Sequence, residues 1–211
     1  MTQTDPLDDW LSSQPAKVHL RAKRLMDVIR EAYPIGVPAL IVKSQTDRLG
    51  DSGGYSFHLG TPDDVLRRIC SWLLTNGSSV VLLKVTKSLW KRHGREDLAL
   101  AALLLANLQT DRDVWVLLAD MIGGSSTAES LLLSIEECYR AKHAPPEEEL
   151  LLHWCSRSTA HAHLALLTYH AGWIRSKRPE LSAILSNAFG AIPYPDGDSL
   201  LGRVRDQMLN S

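Results

Sequence analysis

An aspartate near the end of an apolar segment is the first residue whose chemistry needs an explanation. The stretch 113–124 reads D-V-W-V-L-L-A-D-M-I-G-G, and between Trp115 and Ile122 only Asp120 is polar. The pattern predicts a helix that ends at the double glycine, with Asp113 as its cap and Trp115 in the core. A carboxylate in the last turn of a helix is disfavoured by roughly 0.3–1 kcal/mol. Asp120 therefore either faces water or meets a positive group from elsewhere.

Four basic residues form a second candidate site. The spacing i, i+3, i+7 and i+11 predicts one stripe on a helix for Lys84, Lys87, Lys91 and Arg95. Such a stripe is suited to DNA phosphates, contacts that position a protein without reading base sequence. The alternative is an ordinary solvated helix face. A further basic cluster with the same two interpretations consists of Lys17, His19, Arg21, Lys23 and Arg24, with Arg67 and Arg68 as extensions.

The histidines and cysteines do not form a metal-binding pattern. His161 and His163 diverge by about 200° on a helix, so they cannot chelate one ion. The sequence has no H-E-x-x-H or paired-cysteine spacing, and we expect neither a metal nor another cofactor. His163 and Arg157 either line a groove or make hydrogen bonds between helices. Glycine-rich nucleotide motifs and the serine-hydrolase motif are also missing, which argues against nucleotide hydrolysis and serine-based hydrolysis.

Charge is distributed unevenly along the chain. The 211 residues are 45% hydrophobic and 22% charged, with a net charge of −1, which is typical of a globular protein. Residues 17–95 hold 14 Lys/Arg against 6 Asp/Glu, whereas residues 96–149 hold 3 against 11. The basic half predicts a surface for a polyanion, unless the two halves neutralise each other where they pack. No apolar run reaches a membrane-spanning length and the acidic N-terminus has no signal core, so we expect a cytoplasmic protein.

The elements that must position these residues are helices. After residue 60, helical periods of about 10–18 residues alternate with loops of about 2–5 residues. Thr61 is predicted to cap the first of these helices, Gly77 to end it in the left-handed conformation, and Gly94 to end the next. Residues 95–109 are apolar on nearly all sides and predict a central buried helix. Residues 1–60 predict a basic helix at 17–33 and then a loop with at most one short helix near 36–44.

Three stretches in order resemble one family. They are Y55-S-F-H-L-G-T-P-D-D-V-L-R-R-I, S88-L-W-K-R-H-G-R-E-D-L-A-L-A-A-L-L-L and D113-V-W-V-L-L-A-D-M-I. Together they resemble the DNA alkylation repair proteins with HEAT-like repeats, the AlkD-like DNA glycosylases, over roughly residues 55–190. The resemblance implies that Asp120 lies in a positively charged groove and stabilises positive charge on the deoxyribose as an alkylated purine leaves. Electrostatic stabilisation of this kind suits an oxocarbenium-like transition state.

The chain departs from the family at three places. Val116 follows Trp115 where the family has a second tryptophan. His161 and His163 stand where the family tends to have a tryptophan and arginines, and Ala191 replaces a further tryptophan. A DNA-binding relative without glycosylase activity therefore fits the residues at least as well as an enzyme.

The resulting prediction is an all-α, HEAT-like helical-repeat solenoid. It forms a single domain over residues 1–211, with an irregular part at 1–60 and stacked helix pairs at 61–211. A closed helical bundle is the structural alternative. We expect a monomer that binds double-stranded DNA, damaged or branched, with Asp120 as the catalytic residue of any glycosylase activity on cationic alkylated purines. The DNA-binding residues are predicted to be Lys84, Lys87, Lys91, Arg95, Trp115, Arg157 and His163. The alternative function is a HEAT-repeat scaffold that docks a protein partner on its acidic 129–149 region.

Overall fold

Short helices make up the regular structure of the chain. The computed structural model describes residues 5–42, 54–123, 126–176, 181–194 and 199–210. All regular elements within these ranges are helical, which confirms the all-α prediction. None of the helices in these ranges is long and apolar enough to cross a membrane. Residues 43–53 of the predicted loop, and Gly124 of the double glycine, lie outside the described residues.

The chain divides into two compact units, Met1–Asp111 and Arg112–Ser211. This division does not coincide with the boundary near residue 60 that the sequence suggested, and the single domain stays a prediction. The first unit contains a helical turn at 39–42 and a 3-10 helix, Ala16–Leu20. Its longer helices are α1 (Pro6–Ser12), α2 (Ala22–Ala32), α3 (Asp63–Asn76), α4 (Ser79–Arg92) and α5 (Arg95–Asn107).

Helix α5 is the centre of the first unit. It packs against both α3 and α4, and every residue from Leu100 to Ala106 is buried. The two-residue connection between α4 and α5 makes these helices an antiparallel pair. The prediction of a central helix over this stretch is therefore confirmed. Its all-round apolar composition is explained, because a helix with neighbours on several sides has no face left for water.

The predicted helix ends in the first unit were partly wrong. Thr61 does not cap α3; its hydroxyl donates instead to the carbonyl of Tyr33 at 3.0 Å. Gly77 has a φ of −97° and is not left-handed. At the end of α4 the left-handed residue is His93, with a φ of 61°, and Gly94 is the N-cap of α5. The ring of Phe57 packs so closely on Gly94 that a Cβ there would lie 2.1 Å from it.

The second unit is arranged around α9. Its described helices are α6 (Val114–Met121), α7 (Ala128–Arg140), α8 (Glu148–Arg157), α9 (Thr159–Arg175), α10 (Ala183–Gly190) and α11 (Leu200–Leu209). Helix α9 packs against α7, α8 and α11, and α10 packs against α8 and α11. Asp113 caps α6 by accepting from the N–H groups of Trp115 and Val116 at 2.9 and 3.1 Å, as predicted.

Candidate nucleic-acid interface

Three lysines share the solvent side of α4. The opposite side of this helix is buried through Leu82, Val85 and Leu89, which are at most 1% exposed. Helical geometry therefore turns the other side to water. The exposed side carries Lys84, Lys87 and Lys91, which we call the lysine face. Among the described residues, the ammonium groups of the lysine face have no ion pair with a carboxylate.

Arg95 does not continue the lysine face, so the predicted four-residue stripe is wrong at its last member. Helix α4 ends at Arg92 and the chain reverses through His93, which makes Arg95 the first residue of α5. The Arg95 guanidinium donates to the carbonyl of Thr61 at 3.4 Å and lies 3.6 Å from a carboxylate oxygen of Asp63. Arg95 therefore connects the start of α5 to the start of α3.

The residues of the further basic cluster differ in whether their charge is compensated. The Arg68 guanidinium pairs with Asp5 at 2.7 Å and with Asp8 at 2.8 Å, so its charge is compensated by α1 and the residue before it. It fastens α1 to α3 and does not extend a polyanion surface. The exposed members of the cluster are Lys17, Arg21, Lys23 and Arg24.

Two buried carboxylates at the start of α5 were missed by the sequence analysis. The Asp97 side chain is fully buried and accepts from the Tyr33 hydroxyl at 2.9 Å. Both of its oxygens also accept from the guanidinium of Arg92. Burial raises the pKa of the Asp97 carboxyl, and the bonds from Arg92 oppose part of that rise. The signal in the sequence was an acidic pair at the head of an otherwise apolar helix.

Glu96 holds the chain segment that precedes α3. One oxygen of its buried carboxylate accepts from the backbone N–H groups of Leu59 and Gly60 at 2.9 Å, and of Thr61 at 3.3 Å. The segment is further attached by the N–H of Ser56, which donates to the carbonyl of His93 at 2.9 Å. Two of the stretches that carried the family resemblance are thus joined by hydrogen bonds. Their polar residues have a structural role.

Asp120 meets a positive group. Its carboxylate, 36% exposed, accepts from the Arg112 guanidinium at 2.5 Å. Arg112 precedes α6, so the ion pair spans the length of that short helix. The guanidinium compensates the negative charge of Asp120 in the last turn of the helix. Leu117 is buried beside it and Val116 is half-buried, as expected for one side of an apolar helix. The carboxylate therefore reaches solvent but is already paired.

Trp115 is a core residue. It is 2% exposed, its ring lies 5.2 Å from that of Tyr139, and its indole N–H donates to the carbonyl of Ala144 at 2.7 Å. The expectation that it packs in the core is confirmed. Its assignment as a DNA-binding residue was wrong, because the ring is covered by the second unit itself.

The two remaining candidates take different positions around α9. His163 donates from Nε2 to the carbonyl of Pro193 at 2.8 Å, the hydrogen-bonding alternative raised by the sequence. Arg157 is exposed at the end of α8. The nearby buried histidine, His161, makes hydrogen bonds with Ser158 Oγ at 2.7 Å and with the Ala119 carbonyl at 3.2 Å.

His161 shows that Arg157 and Asp120 share one electrostatic environment. Burial is the main cause of a lowered pKa for His161, and the charge of Arg157 lowers it further. The carboxylate of Asp120 acts in the opposite direction. Since the imidazole is neutral near pH 7, it is a poor partner for phosphate. The charges of Asp120 and Arg157 thus both act on His161, whereas His163 is engaged by the carbonyl of Pro193.

The described residues contain no group of three His, Cys, Asp or Glu side chains arranged to hold a metal ion. The thiols of Cys138 and Cys155 are shielded from water, which raises their pKa values to about 12 and about 11. Both thiols therefore stay protonated near pH 7 and are poor nucleophiles.

Comparison with known proteins identified no relative. No family model matches the chain, and neither a curated protein nor a solved structure matches it. The function must therefore be inferred from the side chains themselves.

Proposed function

We propose that this protein binds double-stranded DNA through the lysine face of α4, as a divergent relative of the HEAT-like DNA alkylation repair proteins. The antiparallel pairs α4/α5 and α8/α9 are what HEAT-like repeats require. The observation that carries the proposal is the exposure of three lysines on one helix side, where no carboxylate of the described residues forms an ion pair with them. Charge that is not paired within the protein remains available to a partner.

The spacing of the lysine face suits a polyanion. Lys84 and Lys91 are seven residues apart, which is about 10 Å along a helix axis. Duplex DNA carries about six phosphate charges over that length. Flexible lysine side chains can therefore each reach a different phosphate, and the contacts would position the duplex without selecting a sequence.

Salt dependence tests this proposal. We expect the logarithm of the duplex-binding constant to fall linearly with the logarithm of the salt concentration. Changing all three lysines of the lysine face to glutamine should make that slope shallower by about 2.7, since each phosphate contact contributes about 0.9. The same three positions changed to arginine keep their charge and should keep the slope.

A single substitution provides a second control. Lys87→Gln should reduce the slope by about 0.9, whereas Lys142→Gln, which removes an exposed lysine of the second unit, should leave it unchanged. No binding by the wild-type protein at low salt would overturn the proposal. An unchanged slope in the triple glutamine variant would place the DNA elsewhere.

Glycosylase activity on cationic alkylated purines is the second candidate, favoured by the solvent-accessible carboxylate of Asp120. The ion pair with Arg112 must open before that carboxylate can stabilise positive charge on a deoxyribose. We expect Asp120→Asn to abolish release of methylated purine from alkylated DNA, and Arg112→Gln to preserve it. Undiminished release by Asp120→Asn would remove Asp120 from catalysis. Binding without release by the wild-type protein would leave a non-enzymatic DNA-binding protein.

A further inference from the structure

A pocket in the second unit combines aromatic rings with a carboxylate. Its volume is about 150 Å³, and it is lined by Tyr139, Tyr169, Trp173 and Glu148. The rest of the lining is small or apolar and consists of Pro145, Pro146, Leu151, Gly172, Ser176 and Leu185. Neither Asp120 nor any residue of the lysine face lines this pocket.

The pocket has a buried end and an open end. Leu151, Trp173 and Leu185 are at most 4% exposed and close one end. Pro145 and Glu148 are exposed and lie at the other. A ligand would therefore place an apolar group against the closed end while a carboxylate stays near the opening.

Among the described residues that line the pocket, the charged one is the acidic Glu148. Glu148 belongs to the run Glu147–Glu149 at the start of α8, and its carboxylate accepts from the Ser182 hydroxyl at 2.9 Å. Burial raises the pKa of Tyr169, and the negative charge of Glu148 raises it further, as expected for a carboxylate close to that ring. The pocket therefore favours a positive ligand.

One ring of the pocket already interacts with a cation. The guanidinium carbon of Arg175 lies 5.1 Å from the centroid of the Tyr139 ring. The carboxylate of Glu136 compensates that guanidinium at 2.5 Å, so Arg175 does not reverse the acidic character of the opening. The Tyr139 hydroxyl donates to the carbonyl of Thr168 at 3.0 Å.

These features select one ligand chemistry. Aromatic faces attract cations, and cages of such rings recognise quaternary ammonium groups. A cavity of about 150 Å³ can hold a molecule the size of benzene, which is comparable to a trimethylammonium group. A plain ammonium group is strongly hydrated and would lose its water to a lining that is mostly apolar. Methyl groups remove that cost and fit the closed end.

We propose that this pocket binds a methylated ammonium group, carried either by a free small molecule or by a methylated lysine side chain. The inference does not depend on DNA binding by the first unit.

Titration calorimetry at constant ionic strength tests it with three probes: choline, its neutral analogue with a tert-butyl group in place of trimethylammonium, and a peptide carrying trimethyl-lysine. We expect choline to bind about tenfold or more tightly than the neutral analogue, since only the cation gains from the rings and Glu148. A peptide at least tenfold tighter than choline identifies a methylated protein as the source, whereas an equal or weaker peptide identifies a free small molecule.

Matched variants locate the site. Tyr169→Leu and Glu148→Gln should each weaken choline binding about three- to tenfold. Tyr194→Leu and Glu129→Gln change a tyrosine and a glutamate outside the pocket and should leave the affinity unchanged. Equal binding of choline and its neutral analogue would overturn the proposal. So would wild-type affinity in both pocket variants, or no binding of any probe.

Discussion

Each of the two units is arranged around one largely apolar helix. The first turns of these two helices carry different kinds of polar group. In the first unit α5 begins with the buried carboxylates of Glu96 and Asp97. In the second unit α9 is capped by Ser158 and begins with the neutral, buried imidazole of His161. Ser158 accepts from a backbone N–H of its own helix, whereas Glu96 accepts from backbone N–H groups of the segment before α3.

The two arrangements differ in how many other elements supply their hydrogen-bond partners. A buried anion requires several partners, and those of Glu96 and Asp97 come from the start of α3, the end of α2 and the end of α4. The neutral cap requires few partners. Ser158 and His161 bond to each other within one turn, and His161 also bonds to one carbonyl of α6. We therefore expect the first unit to be more sensitive to loss of a polar partner.

The largest effect is expected from Arg92→Leu. The change leaves Asp97 buried without its counterion, and breaking such a pair costs about 3–5 kcal/mol of unfolding free energy. Urea denaturation followed by circular dichroism measures the loss. Lys91→Leu changes the exposed neighbour on the same helix and should alter stability by less than about 0.5 kcal/mol. Similar losses in both variants would show that the buried pair is not critical.

Paired glycine substitutions compare packing in the two units. Gly94→Ala should cost about 2 kcal/mol, since its Cβ would lie 2.1 Å from the Phe57 ring and alanine is a poor N-cap. Gly172→Ala brings a Cβ to 2.7 Å from the Tyr139 hydroxyl at the far end of a side chain, and alanine is the better helix former. We expect its cost to stay below about 1 kcal/mol in the same assay. The reverse order would contradict this account.

Removal of the neutral cap in the second unit should have a moderate effect. Ser158→Ala loses the acceptor for the N–H of His161 and the partner of its Nδ1, which costs about 1 kcal/mol. Ser156→Ala, at an exposed serine of the preceding helix, is the control and should cost less than about 0.5 kcal/mol. A loss in Ser158→Ala equal to that in Arg92→Leu would remove the contrast between the units.

The smallest effect concerns pH. The pKa of His161 in the folded protein lies below its ordinary value of 6.5, so the unfolded chain takes up a proton first as the pH falls. The stability due to the neutral imidazole is therefore complete above pH 6.5 and is lost as the pH falls from there toward the folded pKa. Relative to His161→Gln, wild-type stability should decline between pH 7.5 and pH 5 in urea titrations. Parallel profiles would exclude His161 as the group responsible.

The sequence predicted most of the structural features that depend on residues close together along the chain. Helices of about 10–18 residues were expected after residue 60, and α9 with 17 residues is one of them; the cap at Asp113 was also identified. The candidate sites were predicted less well. Three lysines were correctly expected to share a helix side, but Arg95 was placed on the wrong helix because a left-handed histidine ended α4 before the glycine.

The amino-acid sequence by itself determined the all-α class, the apolar centre of the first unit and the exposed lysine side of α4. These features follow from residues three or four positions apart, which helix geometry brings onto one side. Only the tertiary structure decided that Asp97 pairs with Arg92 and with a tyrosine 64 residues away, that Asp120 meets Arg112, and that three rings and Glu148 line a pocket. Such partners come from separate elements, so no local sequence pattern predicts them.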